Sequence, residues 1–166
     1  STYETNIDSK GRVSVPAPFR SALGGGNRIF LWPALDGSGC LEGGGEALMA
    51  MYRQTILRLP PQSVHRKALV NGVIARAADL KMDEPGRIRL PADWVSASGV
   101  KDTVKFAGNI ESFQIWEPAA YAAYDARMAE EAAKPETLGA LAAPYDAAIS
   151  AGSVPGLSLV GGGEDT

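Results

Sequence analysis

The sequence predicts an α+β fold made of two pseudo-symmetric, β-rich halves with intervening and C-terminal helices. Residues 8–17 read Asp-Ser-Lys-Gly-Arg-Val-Ser-Val-Pro-Ala, and they return as Asp-Glu-Pro-Gly-Arg-Ile-Arg-Leu-Pro-Ala at residues 83–92, an offset of 75. An internal repeat of this kind indicates a duplicated structural unit. Short alternating runs bounded by turn residues indicate strands, and longer runs with apolar residues three and four apart indicate helices.

Each copy of the motif is predicted to form a β-hairpin. In the first copy, alternating runs at residues 3–7 and 12–15 flank a polar tip at residues 9–11. In the second copy, residues 79–82 and 87–90 flank the corresponding tip. A proline ends the second strand of each hairpin, because its nitrogen cannot donate a hydrogen bond to a strand ladder.

Each hairpin is followed by a predicted short helix, a strand pair and a longer helix. The strand pairs are residues 28–33 with 40–43 and residues 103–107 with 113–116. The longer helices resemble each other at a shifted offset of 72, in residues 47–52 and 119–124.

Four segments follow from this pattern. The first half spans residues 1–60 and the second spans residues 79–133. A connecting helix occupies residues 61–78, and residues 134–166 form an Ala/Gly/Pro-rich tail that is expected to be partly disordered. The apolar stripe of the connecting helix is predicted at Val64, Ala68, Val73, Ile74 and Ala77.

Charge is unevenly distributed along the chain. The net charge is −3, but residues 1–105 contain fourteen Lys and Arg against ten Asp and Glu, whereas residues 106–166 contain two against nine. The basic excess therefore lies in the part that carries the repeat, which can indicate a nucleic-acid-binding face. No apolar run approaches the roughly 18 residues that span a bilayer, and no signal peptide is visible, so no membrane partner is expected.

The repeated motif has a purely structural interpretation. Asp8 could pair with Arg12 across a tight turn, and Asp83 could pair with Arg87 in the same way. An exposed pair of this kind contributes about 0–1 kcal/mol. A glycine in each turn, Gly11 in the first copy and Gly86 in the second, would supply the positive φ that such turns require.

The second interpretation is that the motif contacts DNA. Lys10 and Arg12 lie at a projecting tip, with Arg20 expected nearby, and Arg87 and Arg89 occupy the corresponding strand of the second copy. A two-stranded β-ribbon fits the major groove of B-DNA, where arginine can donate two hydrogen bonds to guanine. Lysine contributes phosphate contacts.

The two motif copies resemble those of the MraZ family. Asp-x-x-Gly-Arg-apolar-x-apolar-Pro occurs twice, with helices between, and residues 113–116 read Phe-Gln-Ile-Trp before a helix that starts with proline. The resemblance covers about residues 2–130. It implies two halves like the swapped-hairpin AbrB DNA-binding fold. It also implies a bacterial transcriptional regulator, a repressor, that binds double-stranded DNA at G-rich direct repeats upstream of the division and cell wall gene cluster.

The resemblance has further implications. The protein would be a ring-shaped homo-oligomer, between octamer and dodecamer, in the cytoplasm and on the nucleoid. DNA contacts carried over from the family fall on Lys10, Arg12 and Arg87, and proximity adds Arg20. Asp8, Gly11, Asp83 and Gly86 would shape the loops.

The chain departs from the family pattern in places. Glu84 and Pro85 replace Ser9 and Lys10, so the second tip is less basic, and we expect the first hairpin to read bases while the second has a lesser part. The glycines at 43–45 indicate a looser strand-to-helix junction.

Other residues suggest no chemistry, and no cofactor or metal is expected. His65 lies on a predicted helix surface, and Cys40 has no second cysteine. Trp32, Trp94 and Trp116 are predicted core residues, with the alternative that one of them lines a subunit interface. An enzyme is the least supported class, because no catalytic arrangement is visible. The alternative to DNA binding is a non-enzymatic ring-forming assembly or protein-interaction module.

Overall fold

A computed structural model describes residues 1–152 of the chain. Its strands are β1 (Thr2–Asn6), β2 (Arg12–Ser14), β3 (Arg28–Pro33), β4 (Leu41–Gly44), β5 (Ala78–Lys81), β6 (Arg87–Arg89), β7 (Thr103–Asn109) and β8 (Ser112–Trp116). Its helices are α1 (Ala17–Ala22), α2 (Glu46–Leu57), α3 (Val64–Leu69), α4 (Ala92–Ser98), α5 (Pro118–Ala132) and α6 (Pro135–Ser150), with a π-helical turn at Val70–Ile74 directly after α3.

The strands form two antiparallel sheets. A six-stranded sheet has the order β1-β7-β8-β4-β3-β5, and β2 pairs with β6 in a separate two-stranded ribbon. β1 belongs to the first motif copy but pairs with β7 of the second half, with Tyr3 opposite Phe106. β5 belongs to the second copy but pairs with β3 of the first half, with Ile29 opposite Leu80. Each half therefore contributes its first strand to the other.

The predicted local hairpins are wrong in their pairing. β1 and β2 lie in different sheets, and a single bridge between Ile7 and Val13 joins them near the turn. The sequence correctly indicates a chain reversal at each motif, since the Asp8 N–H donates to the Arg12 carbonyl and the Asp83 N–H donates to the Arg87 carbonyl. Each flanking strand pairs instead with a distant strand, which local alternation does not reveal.

The pairing registers have local pseudo-twofold symmetry. In the ribbon, Val13 faces Ile88, which is the same position of the repeat. In the large sheet, Glu42 faces Gln114, and β4 and β8 run antiparallel on either side of that pair. The residues of these two facing pairs are 75 and 72 positions apart in the chain, and these separations are the two offsets of the sequence repeat. The predicted α+β fold with two pseudo-symmetric AbrB-like halves is confirmed.

The main core lies between the ribbon, the large sheet and the short helices α1 and α4. Its fully buried members are Val13, Val15, Ile29, Leu31, Leu41, Ile88, Leu90, Val104, Phe106, Phe113 and Ile115, with Phe19 and Trp94 close to fully buried. The Trp94 indole N–H donates to the Gly39 carbonyl at 2.9 Å. The prediction that all three tryptophans are core residues is confirmed, because Trp32 and Trp116 are also buried.

Glycines in β4 allow close packing across the large sheet. Gly43 and Gly44 are buried, and a Cβ placed on Gly43 would lie 2.6 Å from the side chains of both Leu31 and Phe113. The expectation of a loose junction is therefore wrong at these two positions. Their missing side chains make room for larger neighbours.

The connecting helix is shorter than predicted. α3 and the π-helical turn end at Ile74, and β5 begins at Ala78. Val64 and Ala68, at the start of the predicted stripe, are exposed, whereas Val73 packs in a second core cluster beside Trp32. The π-helical turn rotates the residues after α3 relative to those within it. Apolar residues spaced at one constant helical period therefore do not all face the core, and the two predicted stripe residues in α3 are exposed.

The chain forms two compact units, Ser1–Ala122 and the segment that begins at Ala123. The first unit contains both motif copies. The second contains the end of α5 and all of α6, and none of the residues of α6 is buried. The predicted tail is thus helical over Pro135–Ser150, and its last part, residues 153–166, lies outside the described residues. No helix within residues 1–152 is both long enough and apolar enough to cross a membrane.

Candidate nucleic-acid interface

The Asp8 carboxylate organises the first motif loop. Its Oδ1 accepts hydrogen bonds from the backbone N–H groups of Lys10 at 2.9 Å and Arg12 at 2.8 Å. Its Oδ2 accepts from Arg12 Nε at 2.7 Å. The Gly11 N–H donates to the Asp8 carbonyl, and Gly11 has a φ of +75°. One carboxylate therefore fixes both the turn and the direction of the Arg12 side chain.

These hydrogen bonds change the acidity of Asp8. The bond from the Arg12 backbone N–H is the main cause that lowers the pKa of the Asp8 carboxyl, and the Arg12 side chain and the Lys10 N–H act in the same direction. The three hydrogen bonds to the carboxylate therefore favour its charged form.

The second loop repeats this arrangement with one bond fewer. Asp83 accepts from the Arg87 backbone N–H at 2.7 Å and from Arg87 Nε at 2.9 Å. Pro85 occupies the position of Lys10 and has no N–H to donate. Gly86 has a φ of +87°. The hydrogen bond from the Arg87 backbone N–H is the main cause that lowers the pKa of Asp83. The positive charge of Arg12 acts in the same direction.

The ribbon links the two loops directly. The Val15 N–H donates to the Gly86 carbonyl, and the Leu90 N–H donates to the Gly11 carbonyl, both at 2.9 Å. Each motif glycine thus accepts a bond from the strand of the other copy. The two loops lie at opposite ends of one ribbon and are parts of a single surface.

The ribbon has an apolar inner face and a cationic outer face. Val13 and Ile88 are buried in the core. Strand residues alternate between faces, so the residues on either side of this pair point outward. These outward residues are Arg12, Ser14, Arg87 and Arg89.

The predicted site residues are distributed between the two ends of the ribbon. Lys10 is exposed on the first loop, beside Arg12. Arg87 lies at the second loop. Arg20 was expected near Lys10 and Arg12, but its side chain lies against Gly86 of the second loop, because the strand exchange brings α1 beside that loop. Whether these residues bind DNA stays a prediction.

A cleft of about 680 Å³ with several charged side chains in its lining adjoins the second loop. Arg20 forms one wall, and its Nε is buried with no hydrogen-bond partner among residues 1–152. Asn27 and Lys81 also line the cleft, together with Asp83 and Glu84. Sequence reasoning missed Asn27, because it comes next to the motif only through the pairing of β5 with β3. It also missed Lys81, although this residue lies only two positions before Asp83 in the chain.

The other candidate residues form no second site. Burial raises the pKa of the Cys40 thiol to about 11, and the Cys40 side chain is enclosed. His65 is exposed on α3, where its backbone N–H donates to the Ser63 hydroxyl that caps the helix. In the described part of the chain, no group of three or more His, Cys, Asp or Glu side chains is arranged to hold a metal ion.

Comparison with known proteins identifies the family. Residues 73–140 match the family model described as "MraZ protein, putative antitoxin-like". A protein from Hyphomonas neptunium named transcriptional regulator MraZ is 51% identical over 146 residues, which cover 88% of this chain and 88% of that protein. The chain belongs to the MraZ family. The resemblance inferred from the two motif copies is confirmed.

Two further MraZ relatives support this assignment. A transcriptional regulator MraZ from Parvibaculum lavamentivorans is 42% identical over 74% of this chain and 77% of its own length. Another from Caulobacter vibrioides is 39% identical over 92% of this chain and 96% of its own length. The chain is therefore similar to these MraZ proteins over most of its length, well beyond the motif itself.

Proposed function

We propose that this MraZ-family protein is a DNA-binding transcriptional regulator whose outer ribbon face contacts double-stranded DNA. The relatives are named as transcriptional regulators, which supports the general role. The finer proposal is a repressor that acts in the cytoplasm, on the nucleoid. No catalytic role is proposed for any residue.

The cationic outer face of the β2–β6 ribbon carries this proposal. A two-stranded ribbon has the width of the B-DNA major groove. Three arginines lie on the outward positions of the ribbon, and Lys10 lies on the adjoining loop. A core of apolar side chains supports the opposite face, so the ribbon is held rigidly for recognition.

The ion pairs of the loops support a base-reading role for Arg12 and Arg87. Each arginine is held through its Nε by the motif aspartate, and its terminal nitrogens make no hydrogen bond to any residue in the described range. Those nitrogens remain available to donate to the O6 and N7 atoms of guanine. Fixing the side chain before binding reduces the entropy lost on DNA contact.

Lys10 and Arg20 have different proposed roles. Lys10 is exposed and its side chain is not ion-paired to any described residue, so it suits a backbone phosphate. Arg20 supports the second loop from the side and reaches the phosphates beside the groove. Asp8, Gly11, Asp83 and Gly86 set the loop geometry that presents the cations.

Ring assembly on G-rich direct repeats completes the proposal. One ribbon offers few contacts, and several linked ribbons on successive repeats bind with much higher avidity. Large apolar side chains on the surface support self-association. Those on α2, α3 and their neighbours are Leu35, Met51, Leu57, Val64 and Val70, and those on α6 are Leu138, Leu141 and Tyr145.

The proposal is tested by titrating DNA from upstream of the protein's own gene. Arg12→Ala should weaken binding by about 1–3 kcal/mol per engaged subunit, because a bidentate base contact is lost. Arg58→Ala, which removes an exposed cation at the end of α2, is the matched control and should bind like the wild type. Binding should weaken steeply with salt. Absence of any DNA shift at low salt would overturn the proposal.

An assembly module that does not bind DNA is the second candidate. An apolar groove of about 240 Å³ favours it, because such a groove can receive a protein segment. Apart from Glu42 and Thr55, the residues that line the groove are apolar or aromatic: Trp32, Leu35, Tyr52, Ile56, Leu69 and Val73. Ring formation in light scattering, without a DNA shift at low salt, would support this candidate. It leaves the cationic outer face of the ribbon unexplained.

A further inference from the structure

The two ends of the ribbon carry different charges. Because β2 and β6 are antiparallel, Arg12 lies directly opposite Arg89, and Ser14 lies directly opposite Arg87. Lys10 lies two residues before Arg12 in the chain, on the adjoining loop. One end of the outer face therefore combines Lys10, Arg12 and Arg89. On the strands themselves the other end has Arg87 and the neutral Ser14, and the cation nearest to it, Arg20, comes from α1 and not from the ribbon.

The difference arises from two exchanges between the motif copies. The second copy has Pro85 where the first has Lys10, so it lacks a cation in its loop. It has Arg89 where the first has Ser14, so it gains a cation in its strand. The antiparallel register brings the gained charge to the first loop instead of the second.

The environment of Arg89 points to an external anion. Arg89 is exposed, and no Asp or Glu within residues 1–152 forms an ion pair with it. Its directly opposite neighbour is another arginine. Like charges in directly opposite strand positions destabilise a sheet. Asp8 offsets part of the charge of Arg12, but no carboxylate within residues 1–152 is paired with Arg89, so a polyanion laid on the ribbon would supply the counter-charge that Arg89 lacks.

We propose that Arg89 contacts a backbone phosphate of the DNA duplex beside the base read by Arg12. The binding surface is then composite: the first copy provides Lys10 and Arg12, and the second copy provides Arg89. Arg12 is aimed by Asp8 and suits a base edge, whereas Arg89 has no such restraint and needs only an anion within reach. This inference rests on the proposed function.

The test compares Arg89→Ser with the wild type on promoter DNA and on a scrambled duplex, each at several salt concentrations. Serine is the residue that the first copy has at this position. Binding to both duplexes should weaken by a similar factor, and the salt slope should fall by about 1 per engaged subunit. The unfolding temperature should stay the same or rise, because a like-charge contact is removed. Arg58→Ser is the matched control and should leave binding unchanged.

Two further variants separate a phosphate contact at the first loop from other roles. Arg89→Lys should retain most of the affinity. Lysine can also contact a phosphate, but it cannot reproduce the two parallel hydrogen bonds that arginine donates to a base. Adding Pro85→Lys to Arg89→Ser should not restore the wild-type affinity, because position 85 lies at the other end of the ribbon.

Three results would overturn the inference. The first is unchanged binding by Arg89→Ser together with weakened binding by Arg12→Ala, which would leave the proposed function intact. The second is a loss confined to the promoter duplex, which would make Arg89 a base-reading residue. The third is a lowered unfolding temperature in Arg89→Ser, which would make its role structural. If the wild type fails to bind either duplex at low salt, the proposed function itself fails.

Discussion

The Arg20 side chain lies over Gly86, so that a Cβ placed on this glycine would be 2.5 Å from Arg20 Nη1. Gly11 occupies the same position of the first copy, and a Cβ placed on it would have no neighbour within 4 Å. Both glycines have a positive φ. Two positions that are equal in the motif are therefore constrained differently in the fold.

Alanine at the two motif glycines should destabilise the protein to different extents. Gly11→Ala forces a side chain into the left-handed region and should cost about 1–2 kcal/mol. Gly86→Ala has the same backbone cost and must also displace Arg20, so it should cost more. Urea unfolding of both variants measures the difference. Equal costs would mean that Arg20 moves away from Gly86 freely in solution.

Acid should weaken the loops through Asp8 and Asp83. The pKa of each carboxyl is lowered in the folded protein, mainly by a backbone N–H of the motif arginine. Their contribution to stability is therefore fully present above the unfolded pKa of about 3.9 and is lost as pH falls through the lower folded pKa.

The measurement is the free energy of unfolding against pH, for the wild type and for Asp8→Asn with Asp83→Asn. The double variant should show a shallower loss of stability below about pH 4. Titration of the two carboxyl groups by NMR gives their folded pKa values directly. Normal values in the wild type would contradict the prediction.

Cys40 should resist thiol reagents in the native protein. Its side chain is buried, and burial raises its pKa to about 11, so little thiolate forms near neutral pH. Labelling with a disulfide reagent at pH 8 should be slow until denaturant is added. Rapid labelling without denaturant would indicate that the strand end at Cys40 opens readily.

Ile88→Ala should destabilise the protein by about 2–5 kcal/mol, because it leaves a cavity beneath the ribbon. Ile110→Ala is the matched control, since Ile110 is fully exposed at the turn between β7 and β8. The same substitution there should change stability by less than about 0.5 kcal/mol. Thermal or urea unfolding compares the two. A small cost at Ile88 would mean that the ribbon is not packed on the core.

Elements with strong local signals follow the prediction closely. β3 has the predicted bounds, because a run of buried apolar residues is limited by Gly26-Asn27 before it and a turn around Asp36-Gly37 after it. α2 contains the predicted helical stretch at residues 47–52, and Gly45 before it and the residues near Pro60 after it limit its length. The duplication and the family also follow from the motif spacing.

Features that depend on distant residues could not be predicted in the same way. The partner of β1 is set by β7, a hundred residues away, and not by the turn that follows β1. The position of Arg20 at Gly86 follows from that exchange. Arg89 was visible as a strand cation, but its place opposite Arg12 depends on the register of β2 and β6.

The exchange of strands within one chain has a consequence for how the ribbon can vary. In a homodimer of identical hairpins, any substitution would appear on both sides of the axis, and the two ends would stay alike. Covalent linkage of the two copies removes this constraint, so that Pro85 and Arg89 can differ from their counterparts Lys10 and Ser14. The two ends of the ribbon are therefore no longer equivalent. A surface with two different ends can distinguish one orientation of a binding site from its reverse.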